Sequence, residues 1–422
     1  MKILIVSSRF PYPLGKADSR TVYHMIEYLS QRHELYLITF FEQDSSHNEL
    51  KFLEDIGEKC QRVELVPFSK WKSTLKAAAG LFSKTPLQTH YFYYRTMQKK
   101  VNDLIEKYSP DLLYAHLIRT GEYIKDYADS PKVLAMQVSQ TLNYDRMIRY
   151  AKSLKTKLIY SIEYNKIKKY EPEITRFFSK CLLISKYDKE AIEGSDGVNN
   201  IFFNPHGIDV NYYVPDRTIE KERNSIIFNG VMETPTNIDA ISYFYEDIYP
   251  LIKKEVPDVK LYIVGMNPTK KIISYSNDPT VTVTGFVDDI RPYLNRAQVG
   301  ISPLRIGAGL QNKVLVSMSM GLPVVCTAVA NEGIGAEQGR SIIIADTARG
   351  FADWIVRLFK DSELRNSIGE NARRFVQDYW TWEYHFKNLE NLFEELVLLE
   401  DKKVDDIKLS TEPGKVSGVK FI

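Results

Sequence analysis

The chain has 422 residues, enough for two or three domains that each bury a core of their own. Its 44% apolar and 26% charged content is ordinary for a soluble globular enzyme. A net charge of +2 gives no case for nucleic acid, and no run reaches the ~18 apolar residues that a membrane span needs.

Lys2–Ser7 reads as a continuous apolar strand. A helix follows, with Ser19 as its cap and Val22, Met25, Ile26 and Leu29 on one face. Glu34–Phe41, Arg62–Val66, Asp111–Ala115 and Lys132–Met136 read as further strands. This alternation implies a parallel sheet covered on both sides. The pattern restarts with a strand at Ser225–Asn229, a helix from Asn237 to Glu255, and strands at Lys260–Val264, Val281–Thr284, Val299–Ser302, Pro323–Cys326 and Ser341–Ile344. The fold class is therefore α/β, two doubly wound Rossmann-like halves of about 200 residues each. They join at Asn204-Pro205-His206-Gly207-Ile208-Asp209, a loop rich in turn formers. The expected domains are 1–205 and 206–378, with a helix over 379–399 and a loose, charged tail over 400–422.

Cys60, Cys181 and Cys326 form no paired spacing and no metal pattern. Cys181 and Cys326 lie in apolar runs, as buried free thiols do, which fits a reducing compartment. The apolar run after Lys2 is too short for a signal-peptide core, so a cytoplasmic protein is expected.

The stretch Ser302–Cys326, SPLRIGAGLQNKVLVSMSMGLPVVC, carries the most chemistry. Gly307 and Gly309 allow close backbone approach, and Leu310, Gln311, Asn312 and Lys313 open a helix whose free N–H groups favour an anion. Arg305 and Lys313 add cations on either side, as a cradle for a diphosphate would. The glycines alone are a weak signal, because Gly307-Ala308-Gly309 lacks the third glycine of a dinucleotide fingerprint. The plainer alternative for both cations is solvent exposure beside a helix start.

Residues 70–100 hold seven Lys or Arg, six aromatic residues and no acid, with Trp71, Lys72 and Arg95 among them. Arg146–Lys169 carries eight cations against one acid. Basic and aromatic residues interleaved on helices suit an anionic membrane surface, here the inner face of the cell membrane, and also suit a plain solvated face.

Six segments in order carry a family resemblance over roughly residues 1–397. They are FPYPLGKADSRTVYHMIEYLSQRHELYLITF, DLLYAH, NPHGID, FNGVMETPTNIDAISYF, VTGFVDDIRPYL and PLRIGAGLQNKVLVSMSMGLPVV. Together they resemble the GT-B glycosyltransferases of family 4, closest to the bacterial exopolysaccharide-associated branch. The resemblance implies a C-terminal helix returning to the N-terminal half and a cleft facing both halves. It also implies retaining transfer of a hexose from a UDP- or GDP-sugar to a surface glycan or lipid-linked saccharide, with no metal and no other cofactor. No Asp-x-Asp metal signature is present.

By the same resemblance, His116 meets the transferred sugar; a strand-end histidine satisfied by a carbonyl is the plainer reading. Gly15 brings its backbone near the diphosphate, or simply turns the chain after Pro13. Gly285, Phe286 and Val287 read the nucleobase edge, or form a turn with two core residues. Gly230 and Asn237 frame the first loop of the second half, where Asn237 reads equally as a helix cap. Arg20 faces the acceptor or solvent. The chain departs from the family at Ala308 and Val316, where glutamates usually meet the sugar and the ribose. That departure motivates a second reading, a non-catalytic scaffold or regulatory partner of another transferase.

Overall fold

The computed structural model describes residues 1–12, 17–41, 47–150, 153–193, 199–306 and 310–411. The chain divides into two compact units. The first comprises Met1–Leu183, Asp188–Asn204 and Phe386–Ile422; the second comprises Ile184–Tyr187 and Pro205–His385.

Seven strands build the sheet of the first unit: β1 Lys2–Ser7, β2 Glu34–Phe41, β3 Arg62–Pro67, β4 Leu112–His116, β5 Lys132–Gln137, β6 Lys180–Leu183 and β7 Ile201–Phe203. They run in the order β3-β2-β1-β4-β5-β6-β7, and all neighbours pair in parallel. Ile3, Leu4, Ile5 and Val6 are wholly buried, as a strand covered by helices on both faces requires. The order reverses between β1 and β4, where Ser7 lies in register with His116. Helices leave these two strands toward opposite faces, so a crevice opens at their carboxyl ends.

The second unit repeats the plan with β8 Ser225–Asn229, β9 Lys260–Val264, β10 Val281–Gly285, β11 Val299–Ser302, β12 Val324–Cys326 and β13 Ile343–Ile344. Its order is β10-β9-β8-β11-β12-β13, again all parallel, with the reversal between β8 and β11. Three adjacent strands end on glycine: Gly230 after β8, Gly265 after β9 and Gly285 closing β10, with φ of +155°, +148° and +69°. Backbone bonds link the row, Gly230 N to Val264 O at 3.1 Å and Gly265 N to Gly285 O at 3.2 Å. A Cβ on Gly265 would lie 1.7 Å from the Gly230 carbonyl oxygen, so no other residue fits there.

Several boundaries differ from the sequence reading. The helix expected from Asn237 begins at Pro235, with Thr234 at the N-cap, because proline suits the first helical turn. It runs through a π turn, Phe244–Ile248, into Tyr249–Glu255. Pro250 explains the π turn, since it has no N–H to give to the preceding turn. Ser19 is not a cap: it lies inside Ala17–Leu29, and its hydroxyl donates to the Phe10 carbonyl at 3.3 Å. The final helix spans Trp382–Thr411, past residue 399 where the sequence reading placed a loose tail. Residues 412–422 lie outside the described residues.

The returning helix is bound into the first unit by Phe386, Leu389 and Phe393, all buried. The buried Glu390 carboxylate accepts from Tyr28 Oη at 3.0 Å and His33 Nε2 at 2.8 Å. All three cysteines are buried free thiols, each with its pKa pushed up by burial. Among the described residues, no helix is long and apolar enough to cross a membrane.

The glycine row gives a graded test. Gly265→Ala should cost about 2–4 kcal/mol in urea unfolding, since both its φ and its neighbour's oxygen exclude a side chain. Gly285→Ala, with open space around it, should cost about 1 kcal/mol, from positive φ alone.

Candidate functional site

In the second unit, the chemistry gathers beside the glycine-edged ends of β8 and β9. Asn237 sits in the first turn of its helix and is 8% exposed. Its Nδ2 donates to the Val231 carbonyl at 2.9 Å, and its Oδ1 accepts from Lys313 Nζ. It therefore clips the loop after β8 rather than capping the helix. Lys313 is the second residue of the helix Asn312–Ser319. Its ammonium also lies 4.8 Å from the centre of the Phe228 ring. Among the described residues, no carboxylate pairs with it. Burial pushes its pKa down to about 7, because a neutral amide and a ring only partly replace water around the charge.

Arg305 behaves differently. Its Nε and Nη2 form a fork on Asp239, at 3.1 and 2.6 Å, and its guanidinium stacks 4.6 Å from the centre of Tyr243. Asp239 raises the Arg305 pKa. The expected free cation at this position is thus a matched ion pair. Asp239 lies 66 residues away in sequence, so local pattern gave no sign of it.

Leu310 packs partly buried on the core, Gln311 takes the N-cap position, and Asn312 is exposed. Gly15 and Gly309 lie outside the described residues. Gly285 ends its strand in the left-handed region, Phe286 is 67% exposed, and Val287 packs against the cluster of Ile227, Val264 and Leu294. Val316, at a usual glutamate position, packs against two apolar clusters of this unit.

In the first unit, His116 ends β4 with 1% exposure. Its Nδ1 lies 3.3 Å from Tyr114 Oη, and its carbonyl accepts from Thr120 Oγ1 at 2.9 Å. The next residue, Leu117, has φ +75°, and Gln137 at the end of β5 has φ +69°. Such non-glycine outliers cost about 1–3 kcal/mol each and gather where function constrains the backbone.

Sequence reasoning missed two residues here. Arg119 is nearly enclosed: Nε donates to Ser8 Oγ at 2.8 Å, and its guanidinium stacks 4.3 Å from the centre of Phe92. Burial, and then the charge of Arg9, lowers its pKa to about 10. Asp18 bonds Arg9 at 2.9 Å and lies 3.9 Å from Arg119. Glu171 is fully buried and accepts from Ser139 Oγ at 3.0 Å, Gln140 N at 2.5 Å, and Thr141 N at 3.1 Å. It anchors the loop after β5, and burial raises its pKa. The position of Arg119, three residues beyond His116, was the available signal.

Lys72 and Arg95 line one groove of the first unit, while Trp71 is 66% exposed on the helix Lys70–Ala79. Arg20 does not line that groove; it is exposed in the first turn of Ala17–Leu29. Among the described residues, one group could offer three ligand atoms to a metal, His33, Glu390 and Glu394, within 4.8 Å. Two of these already bond each other in the helix-return contact.

The Glycosyl transferases group 1 family matches residues 223–361, which lie wholly in the second unit. A protein of the Klebsiella pneumoniae cps region is 24% identical over 392 residues, covering 89% of this chain and 96% of that protein. The capsular polysaccharide biosynthesis glycosyltransferase CapM of Staphylococcus aureus is 23% identical over 220 residues, covering 50% of this chain and 56% of its own. Among solved structures, HepE of Anabaena in complex with UDP and glucose superposes with a TM-score of 0.59 at 14% identity, covering 94% of this chain and all of that one. TarM superposes with a TM-score of 0.62 at 13% identity, covering 93% and 98%. The chain thus has the GT-B fold, with two Rossmann-like units, and residues 223–361 of the second match the glycosyl transferases group 1 family.

Proposed function

We propose that this protein is a retaining hexosyltransferase, moving a hexose from a UDP- or GDP-sugar to a growing bacterial surface glycan or lipid-linked saccharide. The observation that carries the reading is Lys313: a buried ammonium at a helix start in the group 1 domain, with no carboxylate partner among the described residues. A leaving nucleoside diphosphate is the kind of charge that such a group stabilises. The HepE complex with UDP and glucose supports the choice of donor class.

In this reading the second unit holds the nucleotide sugar, and the first supplies His116 to the transferred hexose. The bond from C1 to the phosphate oxygen breaks as the acceptor oxygen bonds C1 on the same face. The acceptor proton passes to the departing phosphate, whose charge is met by Lys313 and by the free N–H groups of the helix it opens. Arg305 stays on Asp239 and shapes the helix Pro235–Tyr243 beside the site. Metal independence belongs to this proposal, and transfer that persists in excess chelator is its check.

Val316 favours a second reading. A valine packed among apolar side chains offers no oxygen to a ribose hydroxyl, and a hydroxyl left unpaired costs about 1–3 kcal/mol. A degenerate homologue that serves as a scaffold for another transferase would tolerate that loss.

The acceptor side extends the first reading. On the first unit Trp71, Leu75, Leu81 and Phe82 are exposed, Phe82 at 98%, among Lys70, Lys72 and Lys84. Leu154, Leu158 and Ile159 are exposed beside Lys155 and Lys157. Lys166 Nζ joins the two regions, donating to the carbonyls of Gly80 and Ser83 at 2.6 Å each. This surface suits peripheral contact with the inner face of an anionic membrane, each cation contributing about 1 kcal/mol.

Calorimetry separates the readings. UDP or GDP should bind the wild type, and Lys313→Met should weaken it about 10–100-fold, the worth of one charge-assisted bond. His116→Ala should keep nucleotide affinity and lose transfer by about 100-fold or more. Absence of nucleotide binding at millimolar concentration supports the scaffold.

Protonation provides a further check. The folded pKa of Lys313 is depressed, so the free protein loses this proton as pH rises through about 7. Diphosphate binding restores the charge, so nucleotide affinity falls as pH rises above that value. At about pH 8.5 binding should take up nearly one proton, read from calorimetry in buffers of different ionisation enthalpy. Lys313→Met should abolish the uptake.

A further inference from the structure

A groove on the first unit encloses about 850 Å³ between the helix Lys70–Ala79 and the helix Arg95–Tyr108. Val66, Ala79 and Tyr94 contribute apolar surface, and Lys72, Lys76, Arg95 and Lys100 bring cations. No aspartate or glutamate is among its lining residues.

The cations differ in how far they are already satisfied. Lys100 Nζ bonds Glu64 at 2.5 Å, so its charge is matched. Lys76 Nζ donates to the Tyr93 carbonyl at 3.0 Å and lies 3.4 Å from the centre of the Tyr94 ring, with no carboxylate partner among the described residues. Burial, and then the charge of Lys72, lowers its pKa. Lys72 and Arg95 have no acidic partner among the described residues. Three cations without a carboxylate partner among the described residues thus line one groove that holds no acidic residue, which gives it a positive potential that suits an anion.

The surroundings narrow the anion. Trp71 and Leu75 stand one turn apart on the helix that carries Lys72 and Lys76, also one turn apart. The helix thus presents an exposed apolar stripe next to a cationic stripe that lines the groove. Phe82 follows at the end of the same segment, almost fully exposed. A free anion in solution would have no use for the apolar stripe, whereas a lipid phosphate has a chain to lay on it.

We propose that this groove binds the phosphate group of a membrane lipid, with Lys72, Lys76 and Arg95 on the phosphate and Trp71 and Leu75 against the hydrocarbon. This rests on the membrane contact proposed above and makes it selective for phosphate rather than for negative charge alone. The groove would hold the unit in one orientation on the bilayer.

The test uses the full chain and vesicles of phosphatidylcholine mixed with either phosphatidic acid or oleate, matched in zeta potential. The wild type should favour phosphatidic acid by about tenfold. The combined variant Lys72→Gln, Lys76→Gln, Arg95→Gln should lose that preference while keeping wild-type nucleotide affinity. Trp71→Ala with Phe82→Ala should weaken binding to both vesicles and keep the preference. Dihexanoyl phosphatidic acid below its micelle concentration, followed by calorimetry, probes the groove without a bilayer, with inorganic phosphate as the comparison. Soluble lipid bound without any vesicle binding sinks membrane contact but supports the groove. Equal binding to both charge-matched vesicles, a preference that survives the triple variant, or inorganic phosphate bound as tightly as the lipid overturns the groove.

Discussion

A parallel strand cannot turn straight back into its neighbour; each step needs a crossover over one face of the sheet. Where the winding changes direction, two crossovers depart to opposite faces and leave the carboxyl ends of adjacent strands uncovered. Both units have one such place, between β1 and β4 and between β8 and β11. The chain concentrates its unusual chemistry there. His116 ends β4, the strained Leu117 and the enclosed Arg119 come after it, and Gly230 follows β8 with Asn237 folded back against it. The sheets are scaffolds whose topology decides where a side chain can be both anchored and reachable.

Within the second unit, two cations from one short segment meet opposite fates. Arg305 finds Asp239 and forms a fork, so its charge is spent within the protein. Among the described residues, Lys313 finds the Asn237 amide and the Phe228 ring and no carboxylate. An arginine in a matched pair holds structure, while a lysine with neutral partners is held in place yet under-compensated. That difference makes Lys313 the better candidate for meeting a diphosphate. Asn237 is central to it, because one amide both clips the loop after β8 and receives the ammonium.

The first unit shows the same logic at its surface. Lys166 and Lys100 are consumed by carbonyls and by Glu64, whereas Lys72 and Arg95 have no acidic partner among the described residues. A near-neutral whole-chain charge therefore hides local segregation: acids and bases balance in sum but not on this face. The returning helix contributes differently, with Glu390 turned inward to Tyr28 and His33 among buried aromatic residues.

The parallel strands were legible in the sequence because burial on both faces demands continuous apolar runs, and Lys2–Ser7 and Lys260–Val264 are such runs. The helix opening near Lys313 and the strand-end position of His116 were legible for the same local reason. β7 was not, since three residues carry too little pattern, and the π turn before Pro250 needed backbone bonding to appear. Arg305 shows the limit most clearly: its sequence neighbours suggest a free cation, and only folding brings Asp239 to it from 66 residues away. Local order follows from the period of apolar residues along the chain, which the sequence contains. The charge state and partners of each ionisable group follow from what the fold brings within about 4 Å, which depends on residues distant in the chain.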